Sequence, residues 1–319
     1  MNRLAADKRT QVIAALVEGS SINATCRMTR VAKHTVLKLL KDLGCAAASY
    51  HDANVRNLRV RRLQCDEIWA FVGAKMKNTS AEKIEQGWGD VWTWTAIDAD
   101  TKLIVSYTLG QRGAETANEF MQDVAKRVST RIQLTTDGHR VYADAVEGAF
   151  GADIDYAMLV KLYGASNDSP ESRYSPATCI GCRTGVLAGS PDPEHISTSF
   201  VERQNLSMRM GMRRFTRLTN GFSKKLENHG HAVALYFMHY NFCRVHKTLR
   251  VTPAMEAGLT DHVWTVEELV SLLHPQVGDC RPPHLAGQAI NFRLRKITSL
   301  LVYLNYQFHR LLPHSEISV

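Results

Sequence analysis

Between Val91 and Leu109 the chain reads "VWTWTAIDADTKLIVSYTL", and no other stretch constrains the fold as tightly. Val91 to Ile97 alternates in side-chain character, "DADTK" has the composition of a turn, and Leu103 to Leu109 returns as a second run. Strand-like patterning on both sides of a turn predicts an antiparallel hairpin. Upstream, "LQCDEIWAFVGAK" is a third strand-like run that closes at Gly73. Downstream the period changes, and "AETANEFMQDVAKRV" sets Ala117, Phe120, Met121, Val124 and Val128 on one helical stripe. "RIQLTTD" is a short strand ending at Asp137, "HRVYADAVEGAFG" is helical, and "DIDYAMLVKLY" is strand-like again. Three strands, a helix, a strand, a helix and a strand predict an α/β fold: a mixed sheet with helices packed against it.

The chain before this body has a different character. Residues 1–62 hold twelve Lys or Arg against four Asp or Glu, an excess equal to the +8 of the whole 319-residue chain. A basic block on a neutral body predicts a module that binds a polyanion. "DKRTQVIAALVEG" carries a helical stripe of Val12, Ile13, Leu16 and Val17, and Ser21 stands where it can cap a second short helix. "AKHTVLKLLKDLG" predicts a third, ending before Gly44, with Lys33, His34, Thr35 and Lys38 on its outer N-terminal side. That is the helix-turn-helix pattern, whose last helix enters the DNA major groove. A three-helix bundle for protein contact is the plainer alternative. The expected division is therefore a DNA-binding domain at 1–45, a basic linker at 46–62, and the α/β body from 63 to 247.

Residues 164–198 are rich in Ser, Pro and Gly and show no period, which predicts a long loop inserted in the body. "CIGC" within it has no second ligand pair at zinc spacing, and the odd total of seven cysteines suits free thiols in a cytoplasmic protein. No apolar run is long enough for a membrane helix, and the first residues read as an amphipathic helix, not a secretory signal. "ENHGHAVALYFMHYNFCRVH" is apolar on most sides and predicts a buried helix. Residues 248–319 read as short helices and a tail with no assigned role.

Three carboxylates stand out. Asp66 lies inside a strand, Asp137 at the end of another, and Glu202 near the head of the helix in "STSFVERQNLSMRMGMRRF". An acidic side chain in an apolar strand is costly unless paired or bound to a cation. Three oxygen donors gathered from two strands and a helix suit Mg²⁺, which also keeps waters and substrate phosphates as ligands. Two such ions about 4 Å apart serve in-line displacement at phosphorus. Glu202, Asn205 and Arg209 fall at i, i+3 and i+7 on one helix face, and Arg213 and Arg214 follow, placing phosphate-binding groups beside a metal ligand. Taken singly, each acid has a plainer reading: local pairing for Asp66, a turn for Asp137-Gly138, an ion pair to Arg203 or Arg209 for Glu202. Strand alternation points Glu67 to the sheet face opposite Asp66, so it is not expected in the group.

The segments "CDEIWAFVGAK", "AIDADTKLIVSYTLGQR", "TTDGHRVY", "FVERQNLSMRMGMRRFTRLTNGFSKKLENH" and "YNFCRVHKTLRVTPAMEAG" together resemble transposases of the insertion-sequence-one group. These belong to the DDE transposase and integrase superfamily, which has an RNase H-like fold. The resemblance spans roughly residues 63–273. It implies a catalytic triad of Asp66, Asp137 and Glu202 that holds Mg²⁺, with two ions and Mn²⁺ as a substitute. It also implies cleavage at the ends of an insertion sequence and transfer of the freed 3′ hydroxyls into target DNA. The expected partners are the terminal inverted repeats, target DNA and further copies of the chain on paired ends, in a bacterial or archaeal cytoplasm at the nucleoid. The 65-residue interval between Asp137 and Glu202 is longer than the superfamily's usual few tens, and the 164–198 loop accounts for it. A structure-specific nuclease of the same fold and a helix-turn-helix regulator without catalysis are the competing readings.

Overall fold

The computed structural model describes residues 4–164, 179–216 and 219–273. Three helices come first: α1 (Ala6–Val17), α2 (Ile22–Thr29) and α3 (Lys33–Asn54). The Ser21 hydroxyl accepts from the Ala24 amide at 3.1 Å, capping α2 as expected. Arg30 adopts a left-handed conformation (φ +56°) and turns the chain toward α3.

The body follows in the anticipated order: β1 (Arg62–Val72), a short α4 (Ala81–Glu85), the hairpin β2 (Gly89–Asp98) and β3 (Ile104–Gly110), and α5 (Ala114–Arg127). Then come β4 (Ile132–Asp137), α6 (Val141–Phe150), β5 (Ile154–Tyr163) and β6 (Cys179–Ala188). The last four helices are α7 (Ser199–Gly211), α8 (Leu226–Phe242), α9 (Pro253–Glu256) and α10 (Val266–Ser271). The six strands form one sheet in the order β3-β2-β1-β4-β5-β6. β1 pairs antiparallel with β2 and parallel with β4, and β4 in turn is parallel to β5. A mixed sheet of this order, flanked by helices, is consistent with an RNase H-like fold.

Two expectations are corrected. The 164–198 stretch is not all loop, because residues 179–188 form β6, antiparallel to β5. β6 is almost wholly exposed, so it lacks the apolar alternation that marks a half-buried strand. Residues 165–178 lie outside the described residues, as does the tail from 274 onward. The third helix does not end at Gly44 but runs on to Asn54, so positions 46–54 are helix and not linker. Gly44 serves the crossing of α3 and α8: a Cβ there would stand 2.6 Å from the Cβ and carbonyl oxygen of His231. A glycine inside a helix costs propensity, and here it admits a close backbone approach.

The far end of α3 is fastened to the body by polar bonds. Arg127 on α5 donates to Asp123 at 2.6 Å, to Asp52 at 2.9 Å and to the Val55 carbonyl at 3.1 Å. His51 is buried with Nε2 3.1 Å from the Ile104 carbonyl oxygen, and burial lowers its pKa to about 3, so the ring is neutral. One continuous buried cluster joins Val12, Ile13, Leu40 and Leu43 of the first helices to Trp94, Phe120 and Leu134 of the body. Among the described residues no helix is long and apolar enough to cross a membrane.

Candidate active site

β1 and β4 run side by side in the same direction, with Cys65 opposite Thr136 at the end of their ladder. Asp66 and Asp137 are each the next residue along, so the parallel register brings them together where β4 leaves the sheet. Among the described residues they form, with Glu67, a group whose carboxylate oxygens lie within 4.8 Å of one another. Glu67 is the correction here. Alternation fixes the side on which its Cβ leaves the strand, but not where a carboxylate two methylenes further on comes to rest.

Glu67 is buried, and its Oε2 has no hydrogen-bond partner among the described residues. Its Oε1 lies 3.4 Å from Arg112 Nε and 3.7 Å from His139 Nε2. Arg112 also lies 3.6 Å from Asp137 Oδ2 and is held over the Trp92 ring at 4.9 Å. Burial, then the charges of Asp137 and Asp66, raise the pKa of Glu67 to about 8. Burial and Asp137 likewise raise Asp66 to about 6, with Glu202 adding to the repulsion. Arg112 opposes this accumulation but does not cancel it. Asp66 and Glu67, crowded against Asp137 and resisting ionisation, are what a bound divalent cation relieves.

α7 is fixed to β1 at two points. Gln64 Oε1 accepts from the amides of Phe200 (2.8 Å) and Val201 (3.2 Å), satisfying donors that the first turn of a helix leaves free. One turn and more along the helix, Asn205 Nδ2 donates to Asp66 Oδ2 at 2.8 Å, while Asn205 Oδ1 is buried without a partner among the described residues. Gln64 and Asp66 share a face of β1, and together they set the height and rotation of α7. Sequence reasoning missed Gln64. Its only signal was a long amide in an apolar strand, two residues before the acid.

Glu202 stands at the border of the group. Its Oε2 accepts from Lys161 Nζ at 2.5 Å and its Oε1 from Thr198 Oγ1 at 2.6 Å. Lys161, on β5 beyond the end of β4, was not among the expected residues. Arg209 is half-buried near the end of α7; Arg213 is exposed in the 3₁₀ turn that follows, where Arg214 donates to Ser223 Oγ at 2.8 Å. At the head of α3, Lys33 and His34 are exposed, Thr35 is half-buried, and Lys38 pairs with Asp42.

The donor set fits a hard cation. It consists of carboxylate oxygens, with a buried, unbonded amide oxygen and carboxylate oxygen close by, and it offers neither thiolate nor charged imidazole. Fold and site thus define an α/β protein with an acidic cluster, able to hold a cation, at the ends of two parallel strands.

Comparison with family models gives no match, and comparison with curated proteins gives none. Among solved structures, the chain is similar to the cryo-EM structure of the piggyBac transposase synaptic complex with hairpin DNA, at 10% identity and a TM-score of 0.38. That alignment covers 98% of this chain and 77% of the other. A likeness so distant carries no argument about function, which rests on the residues themselves.

Proposed function

We propose that the chain is a metal-dependent DNA transposase that cuts the ends of an insertion sequence and joins the freed 3′ hydroxyls to target DNA. The observation that carries this reading is the convergence of half-buried Asp66 and Asp137 with buried Glu67 beside Asn205. The ordered sequence motifs that resemble the insertion-sequence-one group support transposition over other phosphoryl chemistry. Asp66, Glu67 and Asp137 would hold Mg²⁺, with Glu202 at the margin; when bound, the metal supplies charge stabilisation at phosphorus and an activated oxygen nucleophile.

The chain's own groups have distinct tasks. Asn205 holds Asp66 in one rotamer through its 2.8 Å bond. Arg112 screens Glu67 and Asp137 from each other and stays anchored on Trp92. His139, kept neutral by burial and by Arg112, stacks on Trp94 and closes the inner wall. Arg209, Arg213 and Arg214 continue from α7 as phosphate-binding groups, and Lys33, His34, Thr35 and Lys38 form the DNA-reading face of a helix-turn-helix. Phosphate contacts position the protein and base contacts select the repeat.

The test is a labelled duplex carrying the element's own terminus, incubated with the full-length chain, Mg²⁺ and an unlabelled target. Cleaved and joined products are expected, and Asp137→Ala should abolish both while binding of the duplex stays within about twofold, since a carboxylate makes no attractive phosphate contact. Cutting without joining would assign the chain to the structure-specific nucleases. Binding without cutting at any Mg²⁺ or Mn²⁺ level would leave only a regulator.

A further inference from the structure

A cleft opens where the first three helices meet the segment joining α7 to α8. Its volume is about 390 Å³, within the range of small-molecule sites. Leu16, Leu37 and Tyr236 supply an apolar wall, and the side-chain amides of Asn220 and Asn228 supply donors and acceptors. Five cations line it: Lys33 at the head of α3, Arg213 and Arg214 in the 3₁₀ turn, and Lys224 and Lys225 before α8. None of the described residues lining it is acidic, and none of the five is in an ion pair among the described residues.

Arg214 points most directly to a ligand. It donates to Ser223 Oγ, which in turn lies 2.8 Å from His229 Nδ1. Burial, reinforced by the Arg214 charge, lowers His229 to about 3, so the relay ends on a neutral imidazole. Burial also pulls the Arg214 guanidinium itself down to about 10. A half-buried cation with no carboxylate partner among the described residues is completed by an anion from outside. A nucleotide supplies such an anion together with a base that has polar edges and a hydrophobic face to set against the apolar wall.

We propose that this cleft binds a single nucleotide unit of a DNA strand, its phosphate toward Arg214 and the lysines, its sugar and base against Leu16, Leu37 and Tyr236. The carboxylates of the sheet take no part, so the site is tested in EDTA with the full-length chain. The proposal rests on the DNA-binding part of the transposase reading, since Lys33, Arg213 and Arg214 serve both; lost binding here with cleavage intact overturns the cleft alone, and lost cleavage with binding intact overturns the catalytic reading alone.

The experiment is isothermal titration with three probes: inorganic phosphate, thymidine 5′-monophosphate and 5′-phosphorylated tetrathymidylate. The expected order of affinity is phosphate weakest and tetrathymidylate tightest. Arg214→Gln should weaken the tetrathymidylate by at least tenfold. Because that variant alters a desolvated position, the exposed pair Lys33→Gln with Lys224→Gln is measured alongside, with a several-fold loss expected. Equal affinity in both variants would overturn the location. Phosphate binding as tightly as the monophosphate would remove the nucleotide. Tight monophosphate binding with the tetranucleotide rejected would replace a DNA strand by a free nucleotide.

Discussion

The acids of the sheet respond to protons and metal in opposite ways. Asp66 and Glu67 have their pKa values raised to about 6 and about 8 in the folded chain, so they keep protons to higher pH than they do unfolded. The folded state therefore binds more protons, and the metal-free protein loses stability as pH rises from about 4 through 8. In EDTA the melting temperature should fall between about pH 5 and pH 8.5, and Mg²⁺ should restore it far more at the upper end, since cation binding needs ionised ligands. Glu67→Gln should flatten the fall near pH 8 and weaken Mg²⁺ binding by about tenfold or more, as loss of one ligand from a hard-cation site implies. An Mg²⁺ shift of equal size at both pH values would mean these carboxylates do not hold the ion. Asp66 and Asp137 were readable from the sequence because an acid in an apolar strand is rare. Glu67 was not, because alternation describes where a side chain starts and says little about a flexible one's end. Lys161 and Arg112 had no signal, as one surface cation looks like another until the fold sets it beside an acid.

Single elements carry their own lessons. Strands β1 to β5 and helices α5 to α8 were visible either because one face is buried and displays a period, as in α5, or because nearly the whole element is buried and reads as an apolar run, as in β3 and α8. β6 was hidden because an exposed edge strand has no face to bury. Gly44 misled in the opposite sense: a glycine after a helical run usually marks an end, yet here it sits mid-helix under the backbone of α8. Gly44→Ala should cost about 1–3 kcal/mol by overpacking, despite alanine's better helix propensity. Thermal or urea unfolding reads this directly, and a stabilised variant would show that the crossing is looser than its geometry. At the other end of α3, Lys33 and Lys38 are exposed. Replacing both by Ala should reduce the slope of log affinity against log salt for end binding by about 2, one released counterion for each lost phosphate contact. An unaltered slope would remove the head of α3 from the DNA interface.

For the molecule as a whole, the sequence suggested a basic module tied to a body by a linker. That picture arose because charge and period both change near residue 62. Neither property reports whether the pieces share a core, and the first helices are packed into the same buried cluster as the sheet. The union has a consequence for how DNA is measured. α3 is one uninterrupted rod of 22 residues, about 33 Å long, held near its middle by α8 and at its foot by Arg127. A rod clamped twice behaves as a ruler: whatever its tip grips, the acid cluster meets the duplex at a set offset. Inserting about five base pairs, half a turn of the double helix, between the gripped segment and the cut should extinguish cleavage instead of moving it. Cuts that simply followed the insertion would show the tip and the acids working on independent tethers.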